Sequence, residues 1–297
     1  MALIAIAVKH VTPELKGRLE ECVLSLYKTG NQALIEEKFI SNWTHFLCPL
    51  PKQYLLDKTE KIMRRRLADY LSQYIVSEQA LFYLEKIIAR SYHYLPLSEK
   101  KLVLALAEKY YLAHPSISQG GHVYTEVQHC LHECLDKEDY VNLHGLICFR
   151  LPLWLKLLHK SVDQAVDEFL LEKEYQEFIG LLKYFVSLQK PKISRLHVTL
   201  NQEGLFQLLD QQLEPLEEWE QGVDWESYEV TNNVEDQLVS MLITAAPHRI
   251  ILHKDVYTNY PKAAETLKEV FDNRLTLCEC CKLCSDFCSE FNLKERT

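Results

Sequence analysis

Glycine is scarce in this sequence, with eight in 297 residues, and none of them falls in a Gly-x-Gly-x-x-Gly run or a Gly-Lys-Ser/Thr loop. Such loops hold phosphates on backbone N–H groups, so the common nucleotide-binding turns are excluded. A Gly-x-Ser-x-Gly elbow is absent, and His132-Glu133 has no second histidine at zinc-protease spacing. No catalytic constellation is recognisable, and the reading leans away from an enzyme. Long apolar runs are missing too. The opening stretch Met1–Val8 stops at Lys9-His10, well short of the ~20 residues with which a helix crosses a bilayer. It has neither the basic start nor the small-residue cleavage site of a secretory signal. A cytoplasmic protein without a membrane span is expected.

Lysine and arginine are absent from Leu196 to His248, where eleven acids occur, seven of them from Glu214 to Glu229. The whole chain carries a formal charge of −9, which argues against the broad basic field that nonspecific nucleic-acid or membrane-surface binding needs. One local exception is Lys58, Lys61, Arg64, Arg65 and Arg66, whose spacing places several cations on one helical face. No nucleic-acid reading motif accompanies them. They are read as a surface for an acidic protein partner, the Glu214–Glu229 stretch included, with nucleic acid the weaker alternative.

What is present is a core. Hydrophobic residues make up 47% of the chain, enough to offset chain entropy over this length and to build two packed parts. Leu3–Val8 reads as a strand, and Pro13 opens a helical pattern through Leu15, Leu19, Cys22, Val23 and Leu26 that stops at Gly30. Lys38–Leu47 reads as a second short strand, closed by the prolines at 49 and 51. From Leu55 to Gln189 the apolar spacing is helical, with breaks at Pro96, from Pro115 to Gly121 and from Gly145 to Pro152, which predicts about six helices. In the last of these, Tyr175, Phe178, Ile179, Leu182, Phe185 and Val186 are expected to form one buried stripe. Beyond Pro191 the period changes. Leu196–Leu200 and Leu205–Leu209 flank a short polar link with Gly204 and predict a hairpin. A helix at 234–246, a strand at 249–253, a helix from Pro261 to Asp272 and a strand at 274–277 complete a small sheet. The fold class is α+β and predominantly helical: an N-terminal strand-helix-strand segment (1–50), a central multi-helix body (51–190), a small mixed β-sheet and helix part (191–279) and a Cys-rich tail (280–297).

Several segments resemble a known family. Phe149-Arg150-Leu151, the run Val162–Leu170, the run Glu172–Ile179, Leu181–Val186, Ser240–Thr244 and the cysteine-bearing end together are similar to the YtxC-like family of sporulation proteins from endospore-forming bacteria. The resemblance covers roughly Leu55 to Cys284. It implies a bacterial cytoplasmic protein associated with sporulation, and it brings no catalytic residues with it. A non-enzymatic protein acting through protein contacts is therefore the first functional expectation.

The competing expectation rests on cysteine. Ten are present, and five of them (Cys22, Cys48, Cys130, Cys134, Cys148) are scattered and read as small core residues. His129 and His132 flank two of these, yet residues on one helix converge only at three or four apart, so that group reads as incidental. The other five, Cys278, Cys280, Cys281, Cys284 and Cys288, crowd into eleven positions. Cys281-x-x-Cys284 has the spacing with which one turn of chain presents two thiolates to one ion. Cys278 follows a predicted strand, and Cys280 or Cys288 is available to complete a set. Zinc, an iron–sulfur cluster, thiol–disulfide exchange and no cofactor at all remain open at this level. No second, distant knuckle is visible.

Overall fold

The computed structural model describes residues 3–12, 15–24, 35–49, 57–201, 204–216, 234–279, 281 and 284, with the backbone alone for 57–59 and 234–235. The expected helix stop at Gly30, the boundary near Pro51, most of the acidic stretch, Cys280 and Cys288 lie outside these residues. The chain divides into two compact units, Met1–Leu171 and Glu172–Thr297. Its architecture is α+β and predominantly helical, as the spacing predicts.

The first unit opens with β1 (Leu3–Val8) and α1 (Leu15–Leu24), followed by β2 (Glu36–Ile40) and β3 (Trp43–Pro49). The sequence suggests one strand where the structure has a hairpin. Ser41, at a φ of 56°, supplies the left-handed turn between β2 and β3, the backbone geometry that two-residue hairpin links require. Six α-helices follow among the described residues: α2 (Asp57–Tyr74), α3 (Ala80–Ser91), α4 (Leu97–Leu112), α5 (His122–Lys137), α6 (Leu143–Arg150) and α7 (Pro152–Leu188). A single π-helical turn, Ile75–Gln79, joins α2 to α3 without a break. Gly145 does not break a helix; it lies in the first turn of α6, where its N–H is held by the side chain of Asn142. The three-residue β4 (Tyr140–Asn142) pairs parallel with β1, giving the order β2-β3-β1-β4.

Alternation explains the packing of this sheet. Ile4, Ile6 and Val8 of β1 and Thr44, Phe46 and Cys48 of β3 face inward, with Ile4 opposite Cys48 and Ile6 opposite Phe46. The helical core centres on Trp154, which is fully buried. Its Nε1–H donates to the Tyr111 hydroxyl at 2.9 Å, and that hydroxyl donates to the Val76 carbonyl at 2.7 Å. Tyr83 meets the Trp154 ring edge-on at 5.5 Å.

This unit has a defined pH window. Burial, assisted by Lys9 and Lys86, lowers the affinity of His10 and His144 for a proton, while burial pushes the Cys48 thiol up to about 12. For the histidines the unfolded chain binds protons more readily, so stability is present above their ordinary value of 6.5 and is lost as pH falls through it. For the thiol, stability is present below the ordinary 9.0 and is lost as pH rises toward about 12. Denaturant midpoints are expected to form a plateau between these limits. A midpoint that rises on acidification from pH 7 to 5 would contradict the histidine assignment.

The second unit starts inside α7. Along its Glu172–Leu188 part, Ile179 and Val186 are buried while Tyr175 and Leu182 pack against the core at its edge. Phe178 and Phe185 do not join them, being 53% and 48% exposed. The expected single stripe is thus two. Residues 175, 179, 182 and 186 form the inward row, and 178, 181, 185 and 188 form a second row about 100° around the helix. The remaining elements are β5 (Ile193–Leu200), β6 (Phe206–Leu209), α8 (Val234–Ala245), β7 (Pro247–Leu252), α9 (Lys254–Asn259), α10 (Pro261–Phe271) and β8 (Leu275–Leu277). The hairpin β5–β6 forms where it is predicted, with Gly204 at a φ of +79° in its turn. Pro261 at the helix start and buried Ala263, Leu267 and Val270 set α10 on the sheet. The order is β6-β5-β7-β8, and β5, β7 and β8 run parallel. Their carboxyl ends therefore lie at one edge. No helix among the described residues is long and apolar enough to cross a membrane.

Candidate metal centre

Ligand sites in open α/β sheets gather beyond the carboxyl ends of parallel strands, because the chain leaves the sheet there and exposes loop groups. In this sheet Ile250 pairs with Leu275, Ile251 with Thr276 and Leu252 with Leu277. The next residue on each strand is His253 on one side and Cys278 on the other. The register holds for one more step, since the Cys278 N–H donates to the Leu252 carbonyl at 2.9 Å. His253 also opens α9, its carbonyl accepting from the Val256 N–H at 3.1 Å. The Tyr257 hydroxyl of that helix donates to the Cys278 carbonyl at 3.1 Å. Both residues are thus fixed by backbone bonds on either side of the site.

Beyond β8, the Cys284 N–H donates to the Cys281 carbonyl at 3.0 Å. The two sulfurs lie 3.7 Å apart, too far for a disulfide. His253 Nδ1 lies 3.2 Å from Cys284 Sγ and 3.4 Å from Cys281 Sγ. With Cys278, the four ligand atoms lie within 4.8 Å of one another. Zinc bonds of about 2.3 Å to sulfur and about 2.05 Å to nitrogen in a tetrahedron place sulfur pairs about 3.8 Å apart and sulfur–nitrogen pairs about 3.6 Å apart. The separations among His253, Cys281 and Cys284 match these edges to within a few tenths of an ångström, and the Cys278 sulfur lies within 4.8 Å of all three. A Cys₃His donor set is also a standard structural zinc set.

Burial, together with the neighbouring Cys281 and Cys284 sulfurs, pushes the Cys278 thiol up to about 12, and burial raises Cys284 as well. Burial lowers the affinity of His253 for a proton, leaving the imidazole neutral and its lone pair free to ligate. Thiols that resist ionisation are poor redox nucleophiles, which need a depressed pKa. Without an ion the sulfurs stay protonated; as three thiolates at this separation they would need a cation between them.

The structure brings together Cys278, Cys281 and Cys284 from the predicted set. His253 was not predicted. It lies 25 residues before Cys278, and only the parallel register of β7 and β8 makes them neighbours. It is the distant ligand whose lack weakens a reading of the tail alone. The histidines and cysteines of α5 do not converge. His132 bonds Asp69 at 3.0 Å, Cys130 is buried, and the Cys134 sulfur accepts from Arg150.

Of the basic cluster, the Lys58 side chain lies outside the described residues, and Lys61, Arg65 and Arg66 are exposed on α2. Arg64 turns inward. Its guanidinium pairs with Glu60 at 2.7 Å and with Asp139, and it donates to the carbonyls of Leu135 and Glu138. It fastens α2 to the end of α5 and to the start of β4. Arg64→Ala is expected to cost about 1.5–3 kcal/mol of stability, the range for hydrogen bonds to charged groups. Arg65→Ala should stay within about 0.5 kcal/mol, as surface changes do. Equal denaturant midpoints for the two variants would remove Arg64 from this role.

A model of the YtxC-like family matches residues 65–276, which is most of the chain. The chain belongs to the YtxC-like family. Among curated proteins, the YtxC-like chain is 29% identical over 147 residues to the uncharacterized protein YtxC of Bacillus subtilis strain 168. That alignment takes in 48% of this chain and 50% of the relative, so the chain spans about half the length of the curated relative it matches. No solved structure matches it. The family match ends at residue 276 and therefore includes His253 and stops before Cys278, Cys281 and Cys284.

Proposed function

We propose that this YtxC-like protein binds one zinc ion through Cys278, Cys281, Cys284 and His253, and that the ion is structural. The observation that carries the reading is the convergence of three sulfurs and one imidazole nitrogen within 4.8 Å at the carboxyl ends of β7 and β8. Four protein ligands fill a tetrahedron and leave no position for substrate or water, which is the arrangement of structural sites rather than catalytic ones. The ion would clamp the chain that follows β8 onto the sheet. A cluster of iron and sulfide needs four ligands spread around a larger core, so this compact set favours a single ion.

We also propose that the protein is non-enzymatic and acts through protein contacts in the cytoplasm during sporulation. The family resemblance supports the process. The outward row of Phe178, Leu181, Phe185 and Leu188 on α7, each about half or more exposed, supports the protein contacts. The test of the metal reading is elemental analysis of the full chain purified under reducing, anaerobic conditions. One equivalent of zinc per chain is expected, and a chain free of transition metal after zinc supplementation would overturn it. The process is tested by deleting the gene from a spore former and counting heat-resistant spores. An unchanged count would remove the sporulation role.

A further inference from the structure

We infer that His197 is a positioning residue of the metal centre: its Nδ1 accepts a hydrogen bond from His253 Nε2–H and so turns the His253 Nδ1 lone pair to the ion. This rests on the zinc reading above. His197 and His253 belong to adjacent parallel strands. His197 of β5 pairs in register with Ile251 of β7, so His253, two residues on, projects from the same face as Ile251. The pairing is continued by the His253 N–H, which donates to the Val198 carbonyl at 3.0 Å. The two rings stack at 5.3 Å between centroids and 27° between planes, with His197 Nδ1 at 3.0 Å from His253 Nε2.

The assignment follows from the proton count of a neutral imidazole, which has one N–H and one lone pair. His253 Nδ1 is the nitrogen that faces Cys281 and Cys284, at 3.4 and 3.2 Å. When it gives its lone pair to an ion, the ring proton sits on Nε2. His253 is 1% exposed, so that N–H needs a protein acceptor, and its partner is His197 Nδ1. His197 in turn carries its own proton on Nε2. A metal-bound histidine whose second nitrogen is held in this way keeps its ring orientation and its tautomer, and loss of the holder costs about 10–100-fold in metal affinity. The usual holder is a carboxylate or a carbonyl; here a second histidine takes the place. A neutral holder adds no charge to a site that already has three thiolates.

The experiment compares zinc affinity, by chelator competition at constant pH, for the full-length wild type, His197→Phe and His197→Asn. Phenylalanine keeps a ring and removes the acceptor. Asparagine puts its Oδ1 where histidine has Nδ1 and keeps the acceptor. The expected result is one zinc per chain in all three, with affinity lowered about 10–100-fold in His197→Phe and restored close to wild type in His197→Asn. A merely structural effect would follow the loss of ring volume and spare the phenylalanine variant instead. Nitrogen NMR of His253 adds a readout independent of affinity. The Nε2–H tautomer should dominate in wild type and His197→Asn, with a hydrogen-bonded proton that is lost in His197→Phe. Far-UV circular dichroism checks that each variant is folded, and the asparagine variant carries the test if the phenylalanine one is not. Wild-type affinity in His197→Phe, or equal weakening in both variants, overturns the positioning role and leaves the zinc reading intact. A wild type that binds no zinc overturns both.

Discussion

The double variant Cys281→Ser, Cys284→Ser is expected to lose stoichiometric zinc altogether, and with it the whole zinc-dependent part of the second unit's stability. Both sulfurs sit close to tetrahedral-edge distance from His253 Nδ1. Removing them leaves Cys278 and His253, a pair with no closed coordination shell. An ion that binds only the folded chain stabilises it by about 4 kcal/mol when present at a thousand times its dissociation constant. Adding chelator to the wild type should therefore lower its thermal midpoint, and adding it to the double variant should change nothing. The acid response separates ligation from a general effect of cysteine loss. Cys278 and Cys284 are raised by burial and by their neighbours, so both hold protons at neutral pH until an ion displaces them. Zinc affinity of the wild type should fall as pH is lowered and return on neutralisation. Chelator-insensitive melting of the wild type, or equal metal content in both proteins, would sink the ligand assignment.

Legibility of this chain divides along the range of the interactions involved. Elements set by local pattern could be read directly. Pro261 and the spacing Ala263, Leu267, Val270 specify α10, and two short apolar runs around Gly204 specify the β5–β6 hairpin. Short elements held by pairing could not be read. β4 has three residues and exists because Tyr140–Asn142 lies along β1, an arrangement that local sequence does not encode. The six-residue α9 is likewise shorter than a helical pattern needs to show itself. The candidate metal centre divides in the same way. Cys281 and Cys284 announce themselves by spacing, whereas His253 and His197 join the site through a parallel register that links residues 25 to 56 positions apart. On α7 the period holds, and of the expected stripe Tyr175, Ile179, Leu182 and Val186 face inward while Phe178 and Phe185 do not. Phe178 and Ile179 are adjacent in sequence and about 100° apart on the helix, so an apolar run wide enough to hold both does not say which of them is inside.

That ambiguity gives the second large effect. Trp154→Ala is expected to cost about 3–5 kcal/mol, whereas Phe178→Ala, at 53% exposure, should stay within about 0.5 kcal/mol in the isolated chain. Trp154 has no exposed surface, and the space it leaves is walled by Tyr83 and Tyr111, themselves buried and held by hydrogen bonds that oppose collapse into the cavity. The indole N–H also donates to the Tyr111 hydroxyl. That bond is separable: Trp154→Phe keeps an aromatic ring and removes the donor, and a net hydrogen bond is worth about 1 kcal/mol. The Tyr111 hydroxyl retains its own bond to the Val76 carbonyl, so no buried donor is orphaned. The order of denaturant midpoints should be wild type and Phe178→Ala together, then Trp154→Phe, then Trp154→Ala well below. If Phe178→Ala is as damaging as Trp154→Ala, its ring is covered within the folded chain, and the outward row of α7 is core rather than a surface for contacts.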